Sequence, residues 1–249
     1  MKRQTYVLFL LVFGTVQMSY AQQKEMKLPP QATEVWEPEP PKVEAAKMGE
    51  APSDAIVLFD GTNMNEWEHQ NGDATKWTIE NNDAMVVKPG TGNIQTKREF
   101  GDMQLHIEFR TPAKVESEGQ GRGNSGVFLQ KKYEVQVLDN YNNRTYSNGQ
   151  AGSLYKQTMP LVNACKAPGE WQTYDIIYKA PRFNEAGMKV ASAYVTVLHN
   201  GVLVQNHTEI LGTTEYIGLP KNIAHGKAPI MLQDHSNLTA FRNVWVREL

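Results

Sequence analysis

The segment YEVQVLD, residues 133–139, places a carboxylate and an amide in a run that alternates between polar and apolar side chains. In an extended strand, alternate side chains share a face, so Glu134 and Gln136 lie side by side, about 7 Å apart, opposite the apolar members. A positioned carboxylate can move a proton, and the amide beside it can hold a polar substrate. We take Glu134 as a candidate catalytic residue, and Gln136 and Asp139 as candidate substrate-binding residues.

A second polar pair occurs in IMLQDHS, residues 230–236. The same alternation puts Gln233 and His235 on one face. Histidine exchanges a proton near neutral pH, and this one follows a predicted strand among polar neighbours. His235 is therefore a second candidate catalytic residue, and Gln233 is a candidate substrate-binding residue.

Polar residues in loops and at a strand end supply further candidates. Arg122 and Asn124 lie in the glycine-rich stretch GQGRGNSG, where the backbone can turn sharply or approach a ligand closely. The stretch lacks the G-K-[ST] ending of a phosphate-binding loop. Arg110 ends a predicted strand, and Tyr155 lies in polar loop sequence suited to stacking on a ring. These four residues are predicted to bind substrate.

Period-two alternation dominates from residue 55 onward, and no helix-period stretch of useful length interrupts it. The predicted strands are Ile56–Phe59, Lys76–Glu80, Met85–Lys88, Met103–Arg110, Ser125–Gln130, Tyr133–Leu138, Gln172–Lys179, Ala193–His199, Val202–Asn206, Pro229–Asp234 and Phe241–Val246. Asn200-Gly201 joins two alternating runs and predicts a type I′ hairpin. Many short strands separated by Gly, Asn and Pro predict an all-β sandwich or barrel. The loops 141–155 and 208–227 are expected to carry specificity.

The run MQLHIEFR, residues 103–110, illustrates how a strand divides its side chains. Its apolar members face a core. On the other face, we expect His106 and Glu108 to lie on an ordinary solvated surface.

The N-terminal residues have the features of an export signal. Lys2-Arg3 precedes an apolar run, residues 6–16, and a small-x-small pattern ends at Ala21. The run is shorter than the roughly 20 residues of a membrane span, so we expect a signal peptide over 1–21, no membrane anchor and a periplasmic or extracellular protein. Residues 22–53, rich in Pro and Glu, are predicted to be a linker or a surface-clamped segment, and residues 54–249 a single β domain.

Charge and cysteine content narrow the classes of partner. The 25 basic and 27 acidic residues give a net charge of -2, with no basic footprint for nucleic acid. Cys165 is the only cysteine, so no intrachain disulfide forms. No metal is assigned, since H-x-x-x-H and clustered Cys/His patterns are absent. A divalent cation such as calcium stays open, because carboxylates and His235 could supply ligands from separate strands. The oligomeric state is also open.

Seven motifs together resemble one known family. They are VLFDGTNMNEW (57–67), FGDMQLHIEFR (100–110), GNSGVFLQ (123–130), YEVQVLD (133–139), GEWQTYDIIYKAPRF (169–183), VTVLHNGVLVQNH (195–207) and IMLQDHSNLTAFRNVWVREL (230–249). In this order they resemble the 3-keto-disaccharide hydrolase family over residues 54–249. The resemblance implies a concanavalin A-like jelly-roll sandwich of two antiparallel sheets, a carbohydrate substrate and an exported protein.

The resemblance also implies a reaction. The ketone of a 3-keto sugar acidifies the hydrogen on C2, so a base can trigger elimination of the glycosidic oxygen from C1 before water adds back. Such a site needs a base, a stabiliser for the enolate and an acid near the leaving group. We expect Glu134 or His235 to be the base, with Arg122, Asn124 and Gln136 holding hydroxyls or the enolate.

Two other functions are consistent with the sequence. Glucanases of this fold carry E-x-D-x-x-E, and EVQVLD is similar, with Glu134 and Asp139 as the outer carboxylates and Gln136 at the centre. Retaining hydrolysis would need a β-bulge to bring those carboxylates about 5 Å apart. The other function is a non-catalytic carbohydrate-binding module, which needs only stacking and hydrogen bonds.

Overall fold

The computed structural model describes residues 27–44, 46–47 and 49–249. The predicted signal peptide, residues 1–21, lies outside them. The chain divides after Lys42 into two compact units, and the described part of the first holds one 3₁₀-helix, Pro30–Thr33. Among the described residues, no helix is long and apolar enough to cross a membrane.

In the second unit, Val43–Leu249, the regular secondary structure consists almost entirely of strands. In chain order they are β1 (Ile56–Phe59), β2 (Trp67–His69), β3 (Thr78–Glu80), β4 (Ala84–Val86), β5 (Ile94–Thr96), β6 (Met103–Arg110), β7 (Ser125–Leu129), β8 (Tyr133–Val137), β9 (Gln172–Lys179), β10 (Arg182–Phe183), β11 (Lys189–Ala191), β12 (Ala193–His199), β13 (Val202–Ile210), β14 (Met231–Leu232) and β15 (Ala240–Glu248). Two 3₁₀-turns, Gly119–Gly121 and Ser147–Gly149, lie in loops.

Two antiparallel sheets contain thirteen of these strands. The larger sheet has the order β13-β12-β9-β6-β15-β4-β3, and β1 also pairs with β15. The smaller sheet has the order β2-β5-β14-β7-β8, and β10 and β11 form a separate ribbon. The predicted all-β sandwich of two antiparallel sheets is therefore confirmed.

The core lies between the two sheets. Met103, Leu105, Ile107 and Phe109, which alternate along β6, are each 0 % exposed, and they belong to the same buried cluster as apolar residues of β7 and β8. Alternation then turns the polar residues of β8 away from this core. The candidate site consequently lies on the other face of the smaller sheet.

Long, clearly alternating strands are where prediction and structure agree. The predicted bounds of β1, β6, β9 and β12 are those observed. The hairpin between β12 and β13 is confirmed, with positive φ at Asn200 (53°) and Gly201 (77°). β13 runs on to Ile210, so the loop predicted to start at Thr208 begins later. The three-residue strands β2 and β5 and the ribbon of β10 and β11 were not predicted.

The expectation of a solvated outer face on β6 is wrong for His106, which is only 3 % exposed. Its ring stacks on Trp245, with centroids 5.1 Å apart. The carbonyl of Gly49 accepts hydrogen bonds from Trp245 Nε1 at 3.3 Å and from Asn243 Nδ2 at 2.6 Å. The chain before β1 therefore covers part of this face, and an alternating pattern does not reveal that cover.

Ionic contacts accompany the burial of His106. Its Nδ1 lies 2.6 Å from Asp175 Oδ1, and Glu108 accepts from Arg242 Nε at 2.7 Å. Burial alone lowers the pKa of His106, but Asp175 and Glu108 outweigh it and raise the pKa to about 9. The neighbouring imidazole, with hydrogen bonds from Asn243 and Arg242, lowers the pKa of Glu108 to about 2. The cluster is therefore ionised at neutral pH.

The raised pKa of His106 predicts a loss of stability at alkaline pH. The histidine stabilises the fold fully below its unfolded pKa of about 6.5, and this contribution disappears as the pH rises toward 9. We expect His106→Gln to reduce the difference in unfolding free energy between pH 6.5 and 9.5 by about 2 kcal/mol, measured by urea denaturation. The matched control is His207→Gln at an exposed histidine. An unchanged pH dependence in His106→Gln would contradict the assignment.

Candidate active site

A cavity of about 720 Å³ lies against β7 and β8, on the face turned away from the core. Its walls combine strand residues with residues of the loops that follow β8 and β13. The lining residues are Gln120, Gly121, Asn124, Phe128, Glu134, Gln136, Tyr146, Tyr155, Lys156, Thr214, Tyr216, Gln233 and His235. Six of the nine residues predicted to form the site are thus brought together.

Glu134 contributes the only carboxylate among the lining residues. The residue is 4 % exposed, its backbone N–H donates to Thr214 Oγ1 at 2.9 Å, and its carbonyl accepts from the Tyr155 N–H at 3.1 Å. No lysine, arginine or histidine among the described residues forms an ion pair with it. Burial raises the pKa of Glu134 to about 8. A carboxyl group with this pKa can exchange a proton at physiological pH.

The amide of Gln136 lies beside that carboxyl group. One end of the amide is 3.0 Å from both Glu134 Oε1 and Ser125 O, and its other end is 3.0 Å from Gln120 Oε1. Since Glu134 and Ser125 both present acceptors, the amide nitrogen on that side donates to both. Asn124 Nδ2 donates to Gln120 O at 2.7 Å. A chain of neutral amides therefore surrounds the buried carboxyl group.

Gly126 on β7 provides the space that the carboxyl group occupies. A Cβ atom at this position would lie 2.4 Å from Glu134 Oε1 and 2.9 Å from Phe128 Cε2. The side chain of Glu134 therefore passes directly over the glycine, and any larger residue would displace it.

The residues after β14 form another part of the wall. Gln233 is tied to β7 by hydrogen bonds from its N–H to Gly126 O, 3.1 Å, and from Ser125 Oγ to its carbonyl, 2.7 Å. Its side-chain oxygen is shielded from solvent, and no described residue donates to it. His235, two residues on, is exposed and lines the cavity. The predicted pairing of these two side chains on one face thus brings both to the cavity.

Three predicted substrate-binding residues do not line the cavity. Arg122 Nε lies 2.6 Å from Asp139 Oδ2, and this pair joins the loop before β7 to the end of β8. Asp139 is 2 % exposed. Arg110 belongs to the larger sheet, where it pairs with Glu80 at 2.7 Å and lies over Trp171. All three charges are thus engaged in contacts that stabilise strands and loops.

Three tyrosines and a lysine form one side of the cavity, which we call the tyrosine wall: Tyr146, Tyr155, Lys156 and Tyr216. The hydroxyl groups of Tyr146 and Tyr155 are 2.6 Å apart. Lys156 Nζ lies 4.3 Å from the ring centroid of Tyr216 and donates to Tyr216 O at 2.6 Å. The lysine is therefore held as a cation over aromatic faces.

Sequence reasoning missed several lining residues: Gln120, Phe128, Lys156, Thr214 and Tyr216. Two of them lie in the 208–227 loop, which had been singled out only as a region. The available signal was the aromatic and hydroxyl content of that loop, but a loop's path across a sheet is not encoded in periodicity.

The lining residues limit the chemistry. Retaining glycosidases use two carboxyl groups about 5 to 5.5 Å apart, whereas only Glu134 lines this cavity and Asp139 is paired with Arg122. Within the described residues, no group of three or more His, Cys, Asp or Glu side chains is arranged to hold a metal ion. The cavity combines one carboxyl group of raised pKa with neutral donors, phenols and one ammonium group.

Solved structures with the same fold come from Parabacteroides distasonis ATCC 8503. One candidate glycosyl hydrolase is 51 % identical, covers 89 % of this chain and 97 % of its own, and superposes with a TM-score of 0.84. Two further candidate glycosyl hydrolases, 18 % and 22 % identical, have TM-scores of 0.58 and 0.54 and show the fold alone. They cover 84 % and 78 % of this chain and 100 % and 99 % of their own.

Among curated proteins, no match was found. Residues 54–247 match the family model described as a 3-keto-alpha-glucoside-1,2-lyase-like domain. The match spans most of the chain and coincides with the two-sheet unit that holds the cavity. The family expected from the seven motifs is therefore confirmed, and this chain belongs to the 3-keto-disaccharide hydrolase family of carbohydrate-active proteins.

Proposed function

We propose that this protein cleaves 3-keto glycosides by abstracting the proton on C2, eliminating the glycosidic oxygen from C1 and adding water. The observation that carries the proposal is the buried carboxyl group of Glu134, which is the only carboxyl group among the lining residues and has a pKa raised to about 8. A hydrogen next to a ketone is a weak acid, and a base whose pKa is near the working pH removes it most effectively.

Glu134 acts as the base in this proposal. Its carboxylate takes the C2 proton, and the electrons of the C–H bond move toward the ketone to form an enolate. Gln136, which donates to Glu134 Oε1, holds the carboxylate in one orientation. The carboxyl group also occupies the space that a side chain at position 126 would fill, so the backbone of Gly126 and the amide of Gln136 together hold it in position.

Hydrogen-bond donors stabilise the negative charge that develops on the enolate oxygen. Asn124 precedes β7, which pairs with the strand that bears Glu134. Gln233 and His235 follow β14, which pairs with β7, and all three residues line the cavity. Donors already oriented toward a developing oxyanion lower the barrier without reorganising during the reaction. His235 thus has the role of a donor rather than of the base.

Collapse of the enolate expels the C1 oxygen and leaves a C1–C2 double bond. Water then adds its hydroxyl group to C1, while Glu134 returns the proton to C2. The second proton of the water balances the proton that the departing oxygen takes up. The net change is hydrolysis, and the carboxyl group ends in its original ionisation state.

Replacement of Glu134 tests the proposal. We expect Glu134→Gln to slow cleavage of a 3-keto disaccharide by about 10² to 10⁴-fold and to abolish deuterium incorporation at C2 in D₂O. The same disaccharide without the keto group should not be cleaved by either protein. Cleavage and exchange are followed by NMR.

The same variant should be more stable than the wild type. Because the folded pKa exceeds the unfolded value of 4.5, ionisation of Glu134 destabilises the fold as the pH rises from about 4.5 to 8. Glu134→Gln removes this cost, about 4 kcal/mol at pH 8.5 by urea denaturation. An inactive but stabilised variant excludes unfolding as the cause. If the wild-type protein binds the 3-keto disaccharide without cleaving it, the proposed enzymatic activity is wrong and the protein is a carbohydrate-binding module.

The pH dependence of cleavage provides a separate check. A base must be ionised to accept a proton, so kcat/KM should rise about tenfold per pH unit below a pKa of about 8 and level off above it. Initial rates between pH 5.5 and 9.5 measure this limb. A profile that is flat from pH 6 to 9 would rule out a base with the raised pKa of Glu134.

Gly126 should be required for activity, although it has no side chain. A methyl group there displaces the carboxyl group of Glu134, so we expect Gly126→Ala to lower kcat by about 10 to 100-fold. The control is Gly226→Ala, where a Cβ meets nothing within 4 Å and φ is not positive. Equal kcat in both variants would show that the position of the carboxyl group does not matter.

A further inference from the structure

The hydroxyl groups of Tyr146 and Tyr155 form a hydrogen bond with each other that uses only one of their two protons. They lie 2.6 Å apart, so one donates to the other. Each hydroxyl carries a single proton, and neither has a second hydrogen-bond partner among the described residues. The proton of the accepting hydroxyl therefore stays available inside the cavity.

The two tyrosines differ in exposure and in attachment. Tyr155 is 8 % exposed, and its backbone N–H donates to the carbonyl of Glu134 at 3.1 Å, which fixes it next to the base. Tyr146 is 40 % exposed. Its ring lies flat on Gly149, where a Cβ would come within 2.0 Å of Tyr146 Cε2. The pair therefore runs from solvent at Tyr146 to the buried wall at Tyr155.

Lys156 places a positive charge near both phenols. Its Nζ is 5.7 Å from the ring centroid of Tyr146 and 5.8 Å from that of Tyr155. A cation near an aromatic ring favours the negative charge that develops when a phenol gives up its proton. The tyrosine wall thus contains both a proton donor and a stabiliser for its conjugate base.

We propose that Tyr155 is the catalytic acid that protonates the leaving oxygen, and that Tyr146 returns a proton to it from solvent; this rests on the proposed function. As the C1–O bond breaks, its electron pair stays on oxygen, which takes the Tyr155 proton. The Tyr155 phenolate then takes the proton of Tyr146. When water adds to C1, the proton it releases restores the pair.

The ionisation of Tyr155 agrees with a donor role. Burial, with the neighbouring Tyr146 hydroxyl, raises the pKa of Tyr155 above its ordinary value. The phenol of Tyr155 therefore keeps its proton at physiological pH until the leaving oxygen accepts it. It is a donor at the start of the reaction, whereas Glu134 is the acceptor.

The test compares two leaving groups in the 3-keto glucoside series. A sugar or alkyl oxygen needs a proton to depart, whereas a 4-nitrophenyl oxygen departs readily as an anion. We expect Tyr155→Phe to lower kcat/KM by about 10²-fold or more for the 3-keto disaccharide but less than about 5-fold for the nitrophenyl compound. Tyr146→Phe should show the same selectivity with a smaller loss, since Tyr155 keeps its own proton. Deuterium exchange at C2 should persist in both variants.

The control is Tyr141→Phe, which changes a half-exposed tyrosine outside the cavity and should leave both rates unchanged. Equal losses on the two leaving groups, or no loss on either, would overturn the acid role while leaving Glu134 as the base. If the wild-type protein cleaves no 3-keto glycoside, both proposals are overturned. The base and acid roles are distinguished by deuterium exchange at C2, which should be lost in Glu134→Gln and persist in Tyr155→Phe.

Discussion

The alternation of side chains along β8 is the constraint that connects the core to the cavity. Val135 and Val137 are 0 % exposed between the sheets, so Glu134 and Gln136 must point to the other face. A slip of one residue would bury the carboxyl group in the core and expose the valines. Packing of the sandwich thus fixes the direction of the Glu134 side chain. The long loops after β8 and β13 cover Glu134 and Gln136 but do not orient them.

Burial treats the two carboxylates of the YEVQVLD segment differently. Asp139 is 2 % exposed but pairs with Arg122 at 2.6 Å, so its burial is compensated and the pair stabilises the loop before β7. Glu134 is equally hidden and has no cationic partner among the described residues, so its neutral form is favoured. A buried carboxyl group therefore stabilises the fold where a cation pairs with it, and has a raised pKa where none does.

Features of the fold that depend on residues close together in the sequence were predictable, and features that depend on distant residues were not. The bounds of β6 and the turn at Asn200-Gly201 depend on neighbouring residues, and both were predictable. The strand β5, with all three residues buried, has no alternation to detect. The roles of Arg122 and Arg110 were not predictable, because the sequence around a charged residue does not show whether a carboxylate from another strand pairs with it. Arg110, for example, pairs with Glu80.

The position of Gln136 links the fold to a choice of chemistry. Glycosidases that use two carboxyl groups need one on each side of the glycosidic bond. Here an amide stands between Glu134 and Asp139, and Arg122 engages Asp139, so a single carboxyl group faces the cavity. One base cannot both attack C1 and protonate the leaving oxygen. One base is enough if the substrate itself supplies an acidic C–H bond and a phenol supplies the second proton, and these are the roles proposed for Glu134 and Tyr155.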